Sequence, residues 1–213
     1  MQKRQNLSNW RINKWKQHAG SKSFYYMLPI ANLNSVLKYG ILSRKTISDN
    51  DSNFSDFSIQ RIQTRRSNIE VELSDKSKKR LHELVPLFLN KNNATIKTRD
   101  KQLDNNKLCI LEIDYKVIGD QEVELVFSYG NAVYDKNFCR NLEELKNFNM
   151  KIATLDSPPG NYWDFKNERM SELLIYPKVN PAYIKNIHLI DKSYLPENYD
   201  IEFNVIEEKE LFI

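Results

Sequence analysis

The sequence predicts a single α+β domain, and three observations carry that prediction. Apolar runs of strand length recur and are closed by breakers: Leu173-Leu174-Ile175-Tyr176 ends at Pro177, and Glu124-Leu125-Val126-Phe127-Ser128 ends at Tyr129-Gly130. Helical spacing is confined to a few segments, among them Ala31–Tyr39, Ile59–Arg66 and Asp135–Met150. With 213 residues and 40% hydrophobic composition, the chain fills one sizeable core and does not demand a second domain.

In chain order, residues 1–22 form a basic arm with Lys and Arg but no acid, interleaved with Trp10, Trp15 and His18. Two readings fit it, a nucleic-acid contact and a helix lying on its own domain. Ser23-Phe24-Tyr25-Tyr26-Met27 is a strand, and Leu33, Val36 and Leu37 then recur at helical spacing until Gly40 stops the helix. Residues 43–57 are rich in Ser, Asn and Asp and read as a surface loop. On a helix over 59–66, Ile59 and Ile62 face inward, Arg66 follows Ile62 by four residues, and Arg65 points to solvent. Leu81 to Asn90 reads as a core strand entered through His82, a structural histidine, with Pro86 at a strand end or bulge. Leu108 to Val117 alternates cleanly. A helix over 135–150 and a break at Ser157-Pro158-Pro159-Gly160 follow. Strands at 183–190, 201–205 and 211–213 close the domain.

Composition sets the context. Thirty-two Lys and Arg against 28 Asp and Glu give a charge of +4, which allows a polyanionic partner without requiring one. Cys109 and Cys139 lack metal-ligand spacing and suggest no disulfide framework, which predicts a reducing compartment. No run approaches the ~20 apolar residues of a membrane span, and the amino terminus lacks a signal-peptide core. The expectation is a soluble cytoplasmic protein without a metal.

The segment from Gly160 to Val179 carries the strongest chemical pattern. Glu172 stands at the entrance to the strand ending at Pro177, preceded by Arg169, Glu168 and the aromatic group Tyr162, Trp163 and Phe165. A carboxylate fixed by a strand can steady developing positive charge, while rings and cations in the preceding loop can hold a planar ligand. Tyr162 and Trp163 have two readings, base-stacking surface and core aromatics. An arginine turned inward at 66 needs a phosphate or carboxylate partner.

Four ordered segments together resemble one family. They are Tyr25-Tyr26-Met27 with Asn32-Leu33 and Gly40-Ile41-Leu42; Ile62-Gln63-Thr64-Arg65-Arg66 with the Leu81–Asn90 segment; Val126-Phe127-Ser128-Tyr129-Gly130-Asn131-Ala132; and Glu168-Arg169-Met170-Ser171-Glu172-Leu173-Leu174-Ile175. Their order across Phe24 to Val179 resembles the DarT-type DNA ADP-ribosyltransferases, toxins of DarTG toxin–antitoxin systems. The resemblance implies the ADP-ribosyltransferase fold, two packed antiparallel sheets around an NAD cleft with flanking helices, in one domain over 1–213. It implies transfer of ADP-ribose from consumed NAD to a base, thymine or guanine, in single-stranded DNA, with a DarG-like macrodomain antitoxin as partner. It makes Glu172 the catalytic carboxylate and Arg65 or Arg66 the second catalytic residue. Tyr25, Tyr26, Met27, Asn32, Leu33, Arg66 and Asn131 would lie by NAD, and Tyr162, Trp163 and Arg169 would meet the DNA. Two departures fall at the ligand: Leu28-Pro29 replaces the family's histidine context, with Tyr26 a candidate substitute, and Tyr129-Gly130 replaces its Asp-Gly turn.

Two other classes remain open at the level of sequence. Glu112 and Asp114-Tyr115-Lys116 have the carboxylate-x-lysine form of Mg²⁺-dependent nucleases. A single-strand-binding module without catalysis would keep the fold and lose NAD turnover.

Overall fold

The computed structural model describes residues 2–50, 54–55, 60–92, 108–134, 137–156, 160, 162–195 and 203–209. Helix α1 (Gln2–Ala19) leads into β1 (Phe24–Pro29), α2 (Leu33–Tyr39), β2 (Ile41–Leu42), α3 (Arg44–Asp49) and α4 (Gln60–Ser67). The hairpin β3 (Glu70–Glu72) and β4 (Lys78–Arg80) precedes β5 (Val85–Phe88), β6 (Leu108–Ile113), β7 (Glu124–Ser128) and β8 (Phe138–Cys139). Short helices α5 (Met150–Ala153) and α6 (Lys166–Arg169) come before β9 (Glu172–Tyr176), β10 (Lys178–Val179), β11 (Ile184–Leu189) and β12 (Asn204–Glu207). The expected strand at 211–213 lies outside the described residues.

Eight strands form one sheet in the order β12-β11-β6-β1-β5-β9-β7-β8, antiparallel except for the β11–β12 pair. Two packed sheets were the expectation. The observed sheet has two four-stranded halves joined through the single residue pair Tyr25↔Phe88 between β1 and β5. This sparse join also accommodates Pro86 inside β5, because β1 engages β5 only at Phe88 and needs no amide from the proline. The pairs β2–β10 and β3–β4 make two further small sheets.

Alternation along the strands divides the sheet into two faces. One buries Phe24, Leu28, Leu87, Leu111, Phe127 and Leu173 in the main core. The other carries a smaller cluster of Val71, Leu73, Leu81, Leu84, Val126 and Leu174 over the β5–β9–β7 half. On this second face one cross-strand row spans all eight strands: Asn204, Asn186, Glu112, Tyr25, Phe88, Glu172, Ser128 and Phe138.

The basic arm is a structural helix of the domain. Trp15 of α1 is 0% exposed, its ring centroid 4.7 Å from that of Phe24 and 5.8 Å from that of Phe127. Its indole donates to the Lys22 carbonyl at 3.0 Å. Buried Arg11 donates to the Val123 carbonyl at 3.0 Å and pairs with Glu124 at 3.2 Å. Of the two readings of the arm, the helix on its own domain matches this packing.

Four element assignments differ from the sequence expectation, each for a local reason. Residues 44–49 are helical because Ser43 caps them, its hydroxyl accepting from the Thr46 amide at 3.2 Å. Residues 81–83 make a 3₁₀ turn, so β5 begins at Val85 and His82 precedes the strand. The strand from Leu108 stops at Ile113 because Asp114 caps a 3₁₀ turn through the Lys116 amide at 2.9 Å. In place of one helix over 135–150 there are β8 and a 3₁₀ turn, Leu142–Asn147, capped by Asn141. No helix among the described residues is long and apolar enough to cross a membrane.

Candidate active site

Glu172 opens β9, a central strand held by β5 on one side and β7 on the other, with Phe88 and Ser128 as its lateral neighbours. The side chain points away from the main core, and the residue is 3% exposed. Arg66 reaches it from the last turn of α4, its Nη1 donating to Oε2 of Glu172 at 3.3 Å while Nη2 donates to the Leu81 carbonyl at 3.3 Å. Helical phase explains the choice of arginine. Arg66 is buried four residues after Ile62, whereas Arg65 lies outside, its guanidinium 5.1 Å from the Tyr134 ring centroid.

A turn after β7 completes the carboxylate's surroundings. Gly130 adopts φ 91°, a left-handed conformation that glycine tolerates, and its amide donates to Ser171 Oγ at 3.2 Å. Tyr129 Oη donates to Glu168 at 2.7 Å, tying the turn to the segment just before β9. The turn delivers the Ala132 amide to the Glu172 carboxylate.

Burial pushes the Glu172 carboxyl above its ordinary value, and the Arg66 charge and the Ala132 amide pull it only part of the way back. A glutamate raised by burial is a tuned base, ionised only once the pH has passed the raised value. The acid limb of kcat/KM against pH is therefore expected above the ~4.3 of an ordinary glutamate. A limb at or below that value would show that this carboxylate does not titrate in the reaction. The stability sign is opposite to that of a salt-bridged surface acid. Protonated Glu172 favours the folded state, so its contribution is present below the ordinary value and is lost as pH rises through the raised one.

Glu172 and Arg66 stand on the wall of a cavity of about 890 Å³, large enough for a dinucleotide-sized ligand. Tyr26, Met27, Asn32 and Asn131 also border it, together with Leu28 and Pro29 where the family histidine context is missing. Asn32 spends both amide atoms on Ser55, donating to its carbonyl at 2.8 Å and accepting from its amide at 2.9 Å. Asn131 Oδ1 accepts from the Val133 amide at 2.9 Å, which shapes the turn.

Other candidate residues lie elsewhere. Tyr25 shares the face of Glu172 but is off the cavity wall, edge-on to His188 at 6.4 Å, and burial first and the nearby acids Asp156, Glu112 and Glu208 second raise its hydroxyl pKa. Leu33, the first residue of α2, is wholly buried in the main core. Arg169 is buried off the cavity wall, its carbonyl accepting from Asn90 at 3.4 Å. Tyr162 and Trp163 fall in a 3₁₀ turn, Tyr162–Phe165, and their side chains lie outside the described residues.

The nuclease triplet does not assemble. Glu112 accepts from Ser23 at 2.6 Å, Asn186 at 2.6 Å and Lys185 at 3.0 Å, and lies 3.4 Å from His188 Nε2. His188 first and the other donors after it hold the Glu112 carboxyl far below the usual range, while Asp114 serves as a cap. Among the described residues no cluster of His, Cys, Asp or Glu could hold a metal ion.

Among the wall residues that sequence reading did not assign to a site are Arg44, Phe88 and His82, the last read there as a structural histidine. Arg44 stacks on Phe54 at 4.7 Å and belongs to α3, whose Ser43 cap was the available signal. Phe88 was predictable from the Leu84, Pro86, Phe88 alternation, which shares one face. His82 has a buried Nδ1 that meets no hydrogen-bond partner among the described residues, and burial lowers the pKa of its imidazole.

A family model described as ssDNA thymidine ADP-ribosyltransferase, DarT, matches residues 25–199. The chain belongs to the DarT family. That family is described as ADP-ribosyltransferases acting on thymidine in single-stranded DNA. Solved DarT structures share the fold. Thermosipho africanus DarTG in complex with ADP-ribose aligns with a TM-score of 0.77 at 22% identity, over 90% of this chain and 51% of that one. The present chain therefore spans about half the length of that protein. Thermus sp. 2.9 DarT in complex with ADP-ribosylated ssDNA aligns with a TM-score of 0.74 at 18% identity, over 92% of this chain and 98% of that one. The same Thermus DarT in complex with NAD⁺ gives 0.71 at 17%, over 92% and 100%. No curated protein matches the chain by sequence.

Proposed function

We propose that this DarT transfers ADP-ribose from NAD to thymidine in single-stranded DNA, with Glu172 as the catalytic carboxylate and Arg66 as its arginine. The observation that carries the proposal is the buried Arg66–Glu172 pair on the wall of a dinucleotide-sized cavity. When the bond between nicotinamide nitrogen and ribose C1′ breaks, its electron pair leaves with nicotinamide and C1′ becomes cationic. Glu172 is placed to stabilise that charge. In thymidine the one remaining ring N–H, at N3, supplies the nucleophilic nitrogen, and its proton passes to the Glu172 carboxylate as the new bond to C1′ forms. Arg66 holds the carboxylate in position and presents a cation to the phosphates at the cavity wall.

The test is mass spectrometry of homopolymeric and mixed single-stranded DNA and RNA after incubation with NAD. A gain of one ADP-ribose on thymidine is expected. Modification of guanosine alone, or of RNA alone, would overturn the assignment of the acceptor. Arg66→Lys is expected to lower the rate by about 10²-fold, because an ammonium cannot reproduce the fork that reaches both Glu172 and the Leu81 carbonyl. Activity of the lysine variant within threefold of the parent would remove Arg66 from the mechanism.

The likeness to Thermosipho africanus DarTG supports a role as the toxin of a bacterial toxin–antitoxin pair, with a DarG-like macrodomain antitoxin as partner. A cytoplasmic site of action fits a DNA substrate and two buried free thiols. Growth arrest on expression, relieved by a co-expressed macrodomain that removes ADP-ribose, is the expected phenotype.

A further inference from the structure

Next in sequence to the wall residues Ile62, Gln63, Arg66, Asn131 and Val133 lies a surface that the chemistry above does not use. Tyr134 is 51% exposed and is fixed by a backbone hydrogen bond from its amide to the Asn131 carbonyl at 2.9 Å. Its turn is the one that presents Asn131 and Val133 to the cavity and Ala132 to Glu172. Arg65 covers the Tyr134 ring, and Arg61, one turn earlier on α4, is exposed on the same helix face. Helix α4 contains no acidic residue, and among the described residues neither arginine has an acidic partner. Two exposed guanidiniums, Arg65 directly preceding Arg66 and Arg61 one turn before it, and a ring two residues after the Ala132 amide that meets Glu172 make a local surface that is cationic and aromatic together.

We infer that Arg61, Arg65 and Tyr134 form a platform for the nucleotide flanking the target base, the ring stacking on the neighbouring base and the guanidiniums meeting backbone phosphates. The inference rests on the proposed action on single-stranded DNA and gives Arg65 a role in substrate binding in place of one in catalysis. A stacking surface suits single strands, because every base offers a π-face and duplexes hide theirs. The arginine already over the ring pre-orients it and adds cation–π attraction to whatever stacks there. A base held at this platform would place its neighbour in the strand close to Glu172, so the platform sets which nucleotide enters.

The test is fluorescence anisotropy of a labelled single-stranded thymidine oligonucleotide, titrated with the parent and variants across a range of salt. Tyr134→Ala is expected to weaken binding roughly 5-fold or more, while Tyr134→Phe, which keeps the ring, stays near the parent. Arg61→Ala and Arg65→Ala are each expected to flatten the logarithmic salt dependence by ~0.7. In turnover, the three alanine variants are expected to raise KM for the oligonucleotide and leave KM for NAD unchanged. Tyr194→Ala, at an exposed ring in a separate turn near β12, serves as the control. Unaltered affinity and salt slope in all three variants, or an equal loss in Tyr194→Ala, would overturn the platform even if thymidine is modified. A parent that binds the oligonucleotide through this surface but forms no adduct would instead overturn the proposed reaction and leave the platform standing.

Discussion

Glu172→Gln is expected to reduce ADP-ribose transfer by about three orders of magnitude, combining loss of a proton acceptor with loss of a fixed negative charge at the cationic C1′. The substitution preserves shape, so the β5–β9–β7 ladders and the approach of the Ala132 amide have no steric reason to change. Arg66 keeps its hydrogen bond to the Leu81 carbonyl but loses its counter-charge in a buried place, which is destabilising. Removal of a desolvated carboxylate acts in the opposite direction, so the melting temperature is expected to move less than it would on deleting the arginine. The decisive pair of measurements is the adduct formation rate and NAD affinity by calorimetry. A variant that binds NAD within a few-fold of the parent but transfers a thousandfold more slowly fits the assignment. Transfer within tenfold of the parent would remove Glu172 from the chemistry.

Trp15→Ala is expected to cost ~3–5 kcal/mol of stability, the range for truncating a fully buried large aromatic. The indole loses its packing on Phe24 and Phe127, and the Lys22 carbonyl loses a donor at 3.0 Å. For a domain of this size the melting temperature should fall by about 10 °C. Trp15→Phe, which retains part of the ring packing, should fall by much less. A change under 2 °C in the alanine variant would mean that α1 contributes little to the core. This helix precedes the residues matched by the family model, so its structural weight would not be inferred from that match.

The legibility of the site in the sequence differed residue by residue, and the differences have physical causes. Glu172 was readable because an apolar run closed by Pro177 can only be a short buried strand, and the first residue of such a strand stands at its mouth. Helical phase turned Arg66 inward and Arg65 to solvent, since Ile62 sets the inward face four residues earlier, but it left open which arginine serves the chemistry, because the partner Glu172 lies 106 residues away. Tyr25 was not separable in the same way. Alternation places it on the face of Glu172, but which strand lies beside it depends on pairing, and β1 met β6 along its length and β5 at a single pair. The false helix over 135–150 came from Leu142 and Leu145, whose spacing of three suits a 3₁₀ turn as well as an α-helix. Trp15 in the basic arm read ambiguously because charge is visible in a sequence, while the buried side of a helix depends on partners that include Phe127, more than a hundred residues away.

That separation shapes how the chain can fold as it is made. Arg11 meets the Val123 carbonyl across 112 residues and Glu124 across 113, so α1 cannot dock until well over half of the domain has been translated. At ~5–20 residues per second that interval is on the order of ten seconds, during which the Trp15 ring has no core to enter. The candidate active site assembles later still. Arg66 waits 106 residues for Glu172, and β9 must insert between β5 and β7 before the pair can close. A partly synthesised chain therefore carries the cavity-lining helices and strands made early without the buried pair that closes the candidate site.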